Sequence, residues 1–138
     1  MANRLGLLCV LAALLTACRQ QDGGVAEPPP ALSGGWSRQA VERLDPVGAP
    51  EGVKAFGPRE WLRTAYHNGP RRLAVDIFLM PGETSAFEAR QKWLGQAGAA
   101  SMHHGRLFIV VTGPAGDAQE LGGFLRTLEA EWLRAPGR

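Results

Sequence analysis

Residues 61–80 read WLRTAYHNGPRRLAVDIFLM. Asn68-Gly69 separates two runs, 61–67 and 72–80, that are rich in β-branched and aromatic side chains. An Asn-Gly pair between such runs is the strongest short-range signal for a β-hairpin. In the second run Leu73, Val75, Ile77 and Leu79 alternate with Arg72, Ala74, Asp76 and Phe78, which marks one buried and one mixed face. Pro81-Gly82 then ends the strand.

Working toward the C-terminus, Ser85 and Glu88 have the spacing of a capping box, in which each side chain satisfies a backbone N–H at a helix start. A helix is expected over 85–97, with Phe87, Trp93, Leu94 and Ala97 packed and Gly98 as its left-handed terminator. Residues 99–104 read as a weak strand turning at Gly105 into 106–112. The run LFIVV is apolar on both faces, as in the central strand of a sheet. After Gly113-Pro114-Ala115-Gly116, Asp117 and Glu120 repeat the capping-box spacing, and Leu121, Phe124, Leu125, Leu128 and Trp132 follow at helical intervals. Working toward the N-terminus, Trp36, Ala40, Val41 and Leu44 suggest a short helix over 37–44, stopped by Asp45-Pro46. Residues 46–52 read as loop and 53–56 as a brief extended segment. The sum is an α+β fold: a two-layer sandwich with an antiparallel sheet, ββαββα order and both helices on one face.

The first 18 residues carry a different signal. Arg4 precedes an apolar run over 5–15, and Leu15-Thr16-Ala17-Cys18 follows. This is the layout of an export signal, and the tetrapeptide resembles the lipobox of bacterial lipoproteins. The resemblance implies cleavage after Ala17, a lipid on the sulfur of Cys18 and acylation of the new amine, so that the membrane is a partner through that residue. Arg19 stands where an aspartate tends to retain such proteins in the inner membrane, which favours the outer membrane, facing the periplasm. Stable anchoring takes two or more membrane signals, and several acyl chains on one residue supply them. The apolar run is too short to span a bilayer, which needs about 20 residues.

Residues 18–35 contain four glycines and three consecutive prolines and read as a lipidated cysteine followed by a disordered linker. Fully extended at about 3.1 Å per residue it would reach ~50 Å. Residues 36–138 suit one domain. Cys9 and Cys18 are the only cysteines, so residues 36–138 contain no thiol for a disulfide, a metal or nucleophilic catalysis. Loss of Arg4 with residues 1–17 leaves 14 basic against 13 acidic side chains, from 15 and 13 in the whole chain. No basic stripe with interleaved aromatics is present, and nucleic acid is not an expected partner.

Downstream of residue 65, Tyr66, Ala86-Phe87-Glu88 and Gly105-Arg106-Leu107-Phe108 resemble motifs of uncharacterised bacterial envelope domains. The resemblance covers about half of the chain, and what it implies is a fold and no activity.

Few residues invite chemistry. His103 and His104 are adjacent, with His67 across the expected sheet, but neighbours on a strand point to opposite faces. No acidic residue or cysteine lies nearby in sequence to complete a metal site. Asp76 stands near Arg63 or His67, either as half of an acid–base pair or as a cross-strand ion pair. There is no Gly-x-Ser-x-Gly elbow, and the 113–116 loop lacks the lysine and spacing of a phosphate cradle. No catalytic residue, metal or cofactor is expected. The expectation is a lipid-anchored envelope lipoprotein with a non-catalytic binding or accessory domain and another envelope protein as partner. Its contact surface would be exposed Trp or Phe side chains, or a free sheet face around Tyr66 and Phe78. The alternatives are a small-ligand carrier with a pocket lined by Trp93 and Phe108, or a small hydrolase built on Asp76 and a histidine.

Overall fold

The computed structural model describes residues 24–93, 97–114 and 117–135. The export signal, Cys18, Leu94 and Ala115-Gly116 lie outside these. The chain is a mixture of helix and antiparallel sheet, an α+β fold. The elements are β1 (Ala31–Leu32), β2 (Trp36–Arg38), β3 (Glu42–Leu44), α1 (Glu51–Lys54), β4 (Glu60–Asn68), β5 (Arg71–Leu79), α2 (Glu83–Lys92), β6 (Ala99–His104), β7 (Leu107–Thr112) and α3 (Ala118–Leu128). A 3-10 turn at Pro46–Gly48 precedes α1, and a π-helical turn, Glu129–Leu133, extends α3. The sheet runs β1-β2-β4-β5-β7-β6, with β3 also paired to β4.

The hairpin of β4 and β5 forms the spine, in unbroken register from Glu60↔Leu79 to Asn68↔Arg71. Its turn is Gly69-Pro70, one residue later than the Asn-Gly reading places it. Gly69 has φ 60°, and proline follows with its fixed negative φ. A positive φ at the first central residue alone is the II′ pattern, whose twist suits the flanking strands.

Strand alternation divides the core in two. Leu62 and Tyr66 of β4, Val75 and Ile77 of β5, and Ile109 and Val111 of β7 pack with Leu121, Phe124, Leu125, Leu128 and Trp132. Trp61, Phe78, Phe108 and Val110, one residue out of step, pack with Val53 of α1 and with Ala86 and Ala89 of α2. Successive strand residues face opposite ways, so α3 covers one face of the sheet and α1 with α2 covers the other. The expected placement of both helices on one face is therefore corrected. Strand β7 is apolar on both sides because a helix lies over each; it is an inner strand, one place from the β6 edge.

Four further readings change. Residues 37–44 are not a helix but β2 and β3, both paired to the outer edge of β4. That edge presents a row of backbone donors and acceptors, and satisfying them outweighs a weak local periodicity. Residues 51–54 form α1 where the end of a loop and the start of an extended segment were expected, beginning after Pro50 and burying Val53. Helix α2 begins at Glu83 with Gly82 as its N-cap and no side-chain cap, so the Ser85/Glu88 box does not form. Its packed residues are Ala86 and Ala89, while Phe87 is 46% exposed, Ala97 is exposed and Trp93 is half-buried. Gly98 does have a left-handed φ of 69°. The fourth change concerns residues 24–35, read as linker: Val25 and Leu32 are buried in the α3-side core, and β1 pairs with β2.

Helix α3 begins as its sequence suggests, with Asp117 accepting from the Glu120 amide. The Glu120 carboxylate does not return to the cap but meets Arg71 at 2.9 Å.

Candidate functional site

Helices α1 and α2 leave part of their face of the sheet bare, and there lies a polar hollow of about 270 Å³. Gln39 and Glu42 border it from the β2–β3 edge, Arg63 from β4, Arg72 and Asp76 from β5, and Thr112 from β7. Register explains the grouping. Glu42 lies opposite Arg63, and Arg63 opposite Asp76, in one row across three strands. Two guanidinium groups and two carboxylates thus meet over a floor of small side chains such as Ala74.

Asp76 is the fixed point of this surface. Its Oδ1 accepts from the indole Nε1 of Trp61 at 2.8 Å and from Nε of Arg63 at 2.9 Å. Arg63 in turn lies over the Trp61 ring, 5.0 Å from its centroid, a cation–π contact that flattens the guanidinium against the sheet. Asp76 is mostly buried, whereas Arg63 is about half exposed. The sequence reading of a cross-strand ion pair describes this arrangement. The acid–base pair does not assemble, because His67 lies opposite Arg72, four residues along β4 from Arg63, about 13 Å at strand spacing.

The three histidines stay apart. His103 points to the α2 side, with Phe87 edge-on at 5.6 Å, and His104 points the other way by strand alternation. His67 is on β4, separated from β6 by two intervening strands, β5 and β7. Among the described residues no group of three or more His, Cys, Asp or Glu is placed to hold a metal.

The expected contact surface needs correction. Tyr66 and Phe78 are both fully buried, on opposite faces of the sheet. Trp36, Trp61 and Trp132 are buried as well. The rings of Trp93 and Phe108 pack against each other at 6.3 Å, and Phe108, fully buried, also stacks on Phe78 at 6.0 Å. Among the described residues the large apolar side chains left exposed are Val47 and Phe87.

Tyr66 has a positional task that its place in the hairpin did not reveal. Its hydroxyl donates to the Pro29 carbonyl at 2.7 Å, and its ring meets Phe124 edge-on at 5.2 Å. Burial pushes its hydroxyl pKa well above the usual tyrosine range, and nearby Arg38 offsets only part of that. Tyr66 thereby ties the segment before β1 to α3. Ser33 strengthens the tie, its amide and hydroxyl both donating to the Glu131 carboxylate at 3.0 and 2.9 Å, across 98 residues of sequence. No sequence pattern marks such a contact. Gly113 carries a subtler signal, since a Cβ there would come within 2.6 Å of Leu73 Cδ2.

Compared with protein-family models, curated proteins and solved structures, the chain matches none. Its α+β fold and this polar surface are what a functional reading has to work from. Among the described residues no helix is long and apolar enough to cross a membrane.

Proposed function

We propose that this chain is a lipid-anchored lipoprotein of the cell envelope, acylated at Cys18, whose folded domain is a non-catalytic binding or accessory module. The observation that carries the reading is Leu15-Thr16-Ala17-Cys18 behind the apolar run of 5–15. Delivery to the outer membrane, with the domain facing the periplasm, follows from the same resemblance and from Arg19. The partner is another envelope protein, and the polar hollow around Arg63, Arg72 and Asp76 is the surface offered to it. We read the core as two ββα units, each sending its helix to a different face.

The packing of Val25 alters how the anchor would act. Seven residue steps separate Cys18 from Val25, at most about 25 Å of extended chain. A tether of that length holds the domain close to the lipid surface instead of reaching across the periplasm.

Two measurements test the reading. Growth with a labelled fatty acid is expected to label the wild-type protein and not Cys18→Ala; an unlabelled wild type would sink the anchor. A photo-crosslinking residue at Arg72 in intact cells is expected to capture a defined envelope protein. That capture should fall several-fold on Arg63→Glu, and capture indifferent to this charge reversal would remove the hollow from the proposal.

A further inference from the structure

The sheet ends in two unlike edges. One is formed by β1 and β3, two and three residues long, with three prolines just before β1. Short strands and prolines are ordinary protection against unwanted pairing. The other is β6, Ala99–His104, six residues long, and among the described residues no strand pairs its outer side. Its sequence AASMHH contains no proline, lysine, arginine or carboxylate. Its register with β7 is unbroken, so no bulge twists the edge away. Phe87, one of the exposed large apolar side chains, lies against His103 of this strand.

Which backbone groups face outward follows from one bond. Gly113 N donates to the Gly98 carbonyl at 3.1 Å, in register with the β6–β7 pairing. Hydrogen-bonded pairs in an antiparallel ladder recur at every second residue. Ala100, Met102 and His104 therefore direct their N–H and C=O toward β7, and Ala99, Ser101 and His103 direct theirs outward.

We propose that β6 is the interface for a second copy of this chain, the two β6 strands pairing antiparallel about a twofold axis at Ser101. That register sets Ser101 opposite Ser101 and Ala99 opposite His103, so every outward-facing residue of the strand exchanges both of its hydrogen bonds. A perpendicular twofold axis keeps the faces in step, joining the two sheets into one with the α2 helices on the same side. The strand suits its own copy because it bears no acidic, lysine or arginine side chain, so that like-charge repulsion across the pair is absent in the neutral-histidine state. Phe87 from each copy flanks the seam. Val25 itself meets Glu60 and Arg43 at the opposite edge of the sheet.

The test uses the full chain in detergent with Cys9→Ser and Cys18→Ser, so that a single introduced thiol reports and acylation plays no part. In the proposed register Cα atoms of residue 101 lie about 5.5 Å apart, within disulfide reach. Those of residue 104 are displaced by six residue steps, roughly 20 Å. Ser101→Cys is expected to oxidise to a covalent dimer at least about tenfold faster than His104→Cys. The parent is expected to sediment as a dimer at a concentration on the order of 100 µM. Ser101→Lys and Ser101→Pro are each expected to weaken dimerisation about tenfold or more with an unchanged circular dichroism spectrum, since residue 101 does not use its N–H within its own sheet. A monomeric parent, equal crosslinking at 101 and 104, or a dimer indifferent to Ser101→Lys would each overturn the proposal.

Discussion

On one face of the sheet α3 sets Leu121, Phe124, Leu125 and Leu128 into the core, and Trp132 follows from the turn behind it. On the other, α2 offers only Ala86 and Ala89, and the aromatic mass comes from the strands themselves: Trp61, Phe78 and Phe108 stacked in a row. The α3 face is completed by the chain's own N-terminal segment, through Val25, Leu32 and Trp36. The α2 face is left partly bare, and its bare part carries the charged row of Glu42, Arg63 and Asp76. The contrast is one of packing. A wide apolar helix stripe closes one face, while a small-residue helix lies close to the sheet without covering it and leaves polar strand positions open to solvent.

The largest expected effect lies on the α3 face. Phe124 meets both Trp36 and Tyr66 at 5.2 Å, so Phe124→Ala is expected to cost about 3–5 kcal/mol in urea unfolding. A cost below about 1 kcal/mol would show that the α3 face is not the dominant support. Asp76→Ala should come next, at about 1–3 kcal/mol, because it leaves the Trp61 indole N–H and the Arg63 guanidinium without their acceptor. Asp76→Asn is expected to recover part of that loss, and equal losses in the two variants would argue that charge alone matters.

Tyr66→Phe removes one buried hydrogen bond while keeping the ring, and is expected to cost about 1 kcal/mol at pH 7. It also has a pH signature. Burial raises the folded-state pKa of Tyr66, with Arg38 opposing, so folding favours the neutral hydroxyl. That stabilisation is complete below the unfolded value near ~10 and is lost as pH rises beyond it, by up to ~1.4 kcal/mol per pH unit from this group. Unfolding curves between neutral and strongly alkaline pH should show the decline in wild type and a shallower one in Tyr66→Phe. Parallel curves would mean that Tyr66 is not the group responsible. The smallest effect belongs to Phe87→Ala on the α2 side, within about 0.5 kcal/mol of wild type when the protein is dilute.

What could be read in the residues follows the range of the interactions involved. The β4–β5 hairpin, the β6–β7 pair and α3 are local: turn residues, alternation and helical spacing lie within twenty residues of one another. The cross-strand meeting of Arg63 and Asp76 belongs with them, since hairpin register alone brings the two together. The readings that failed depend on distant partners. Residues 37–44 have a helical rhythm but adopt the structure that satisfies the edge of β4. Residues 24–35 have the composition of a tether but are held by Tyr66 and by Glu131, 98 residues beyond Ser33. Phe87 was expected in the core by its place in the helix, yet the sheet selects the small side chains of Ala86 and Ala89.

By itself the sequence determined the α+β class, the central hairpin and the amphipathic last helix, because each is written in side-chain periods and turn chemistry that act over a few residues. It also contains the lipobox-like tetrapeptide, whose meaning depends on order along the chain and on no fold. Only the tertiary structure decided that the helices take opposite faces, that the segment from Val25 onward is part of the body, and that Asp76 serves Trp61 and Arg63. Those outcomes depend on which buried backbone and side-chain groups find partners across the sheet. That competition is settled by packing the whole chain, where the cost of leaving a buried polar group unmet exceeds any local preference.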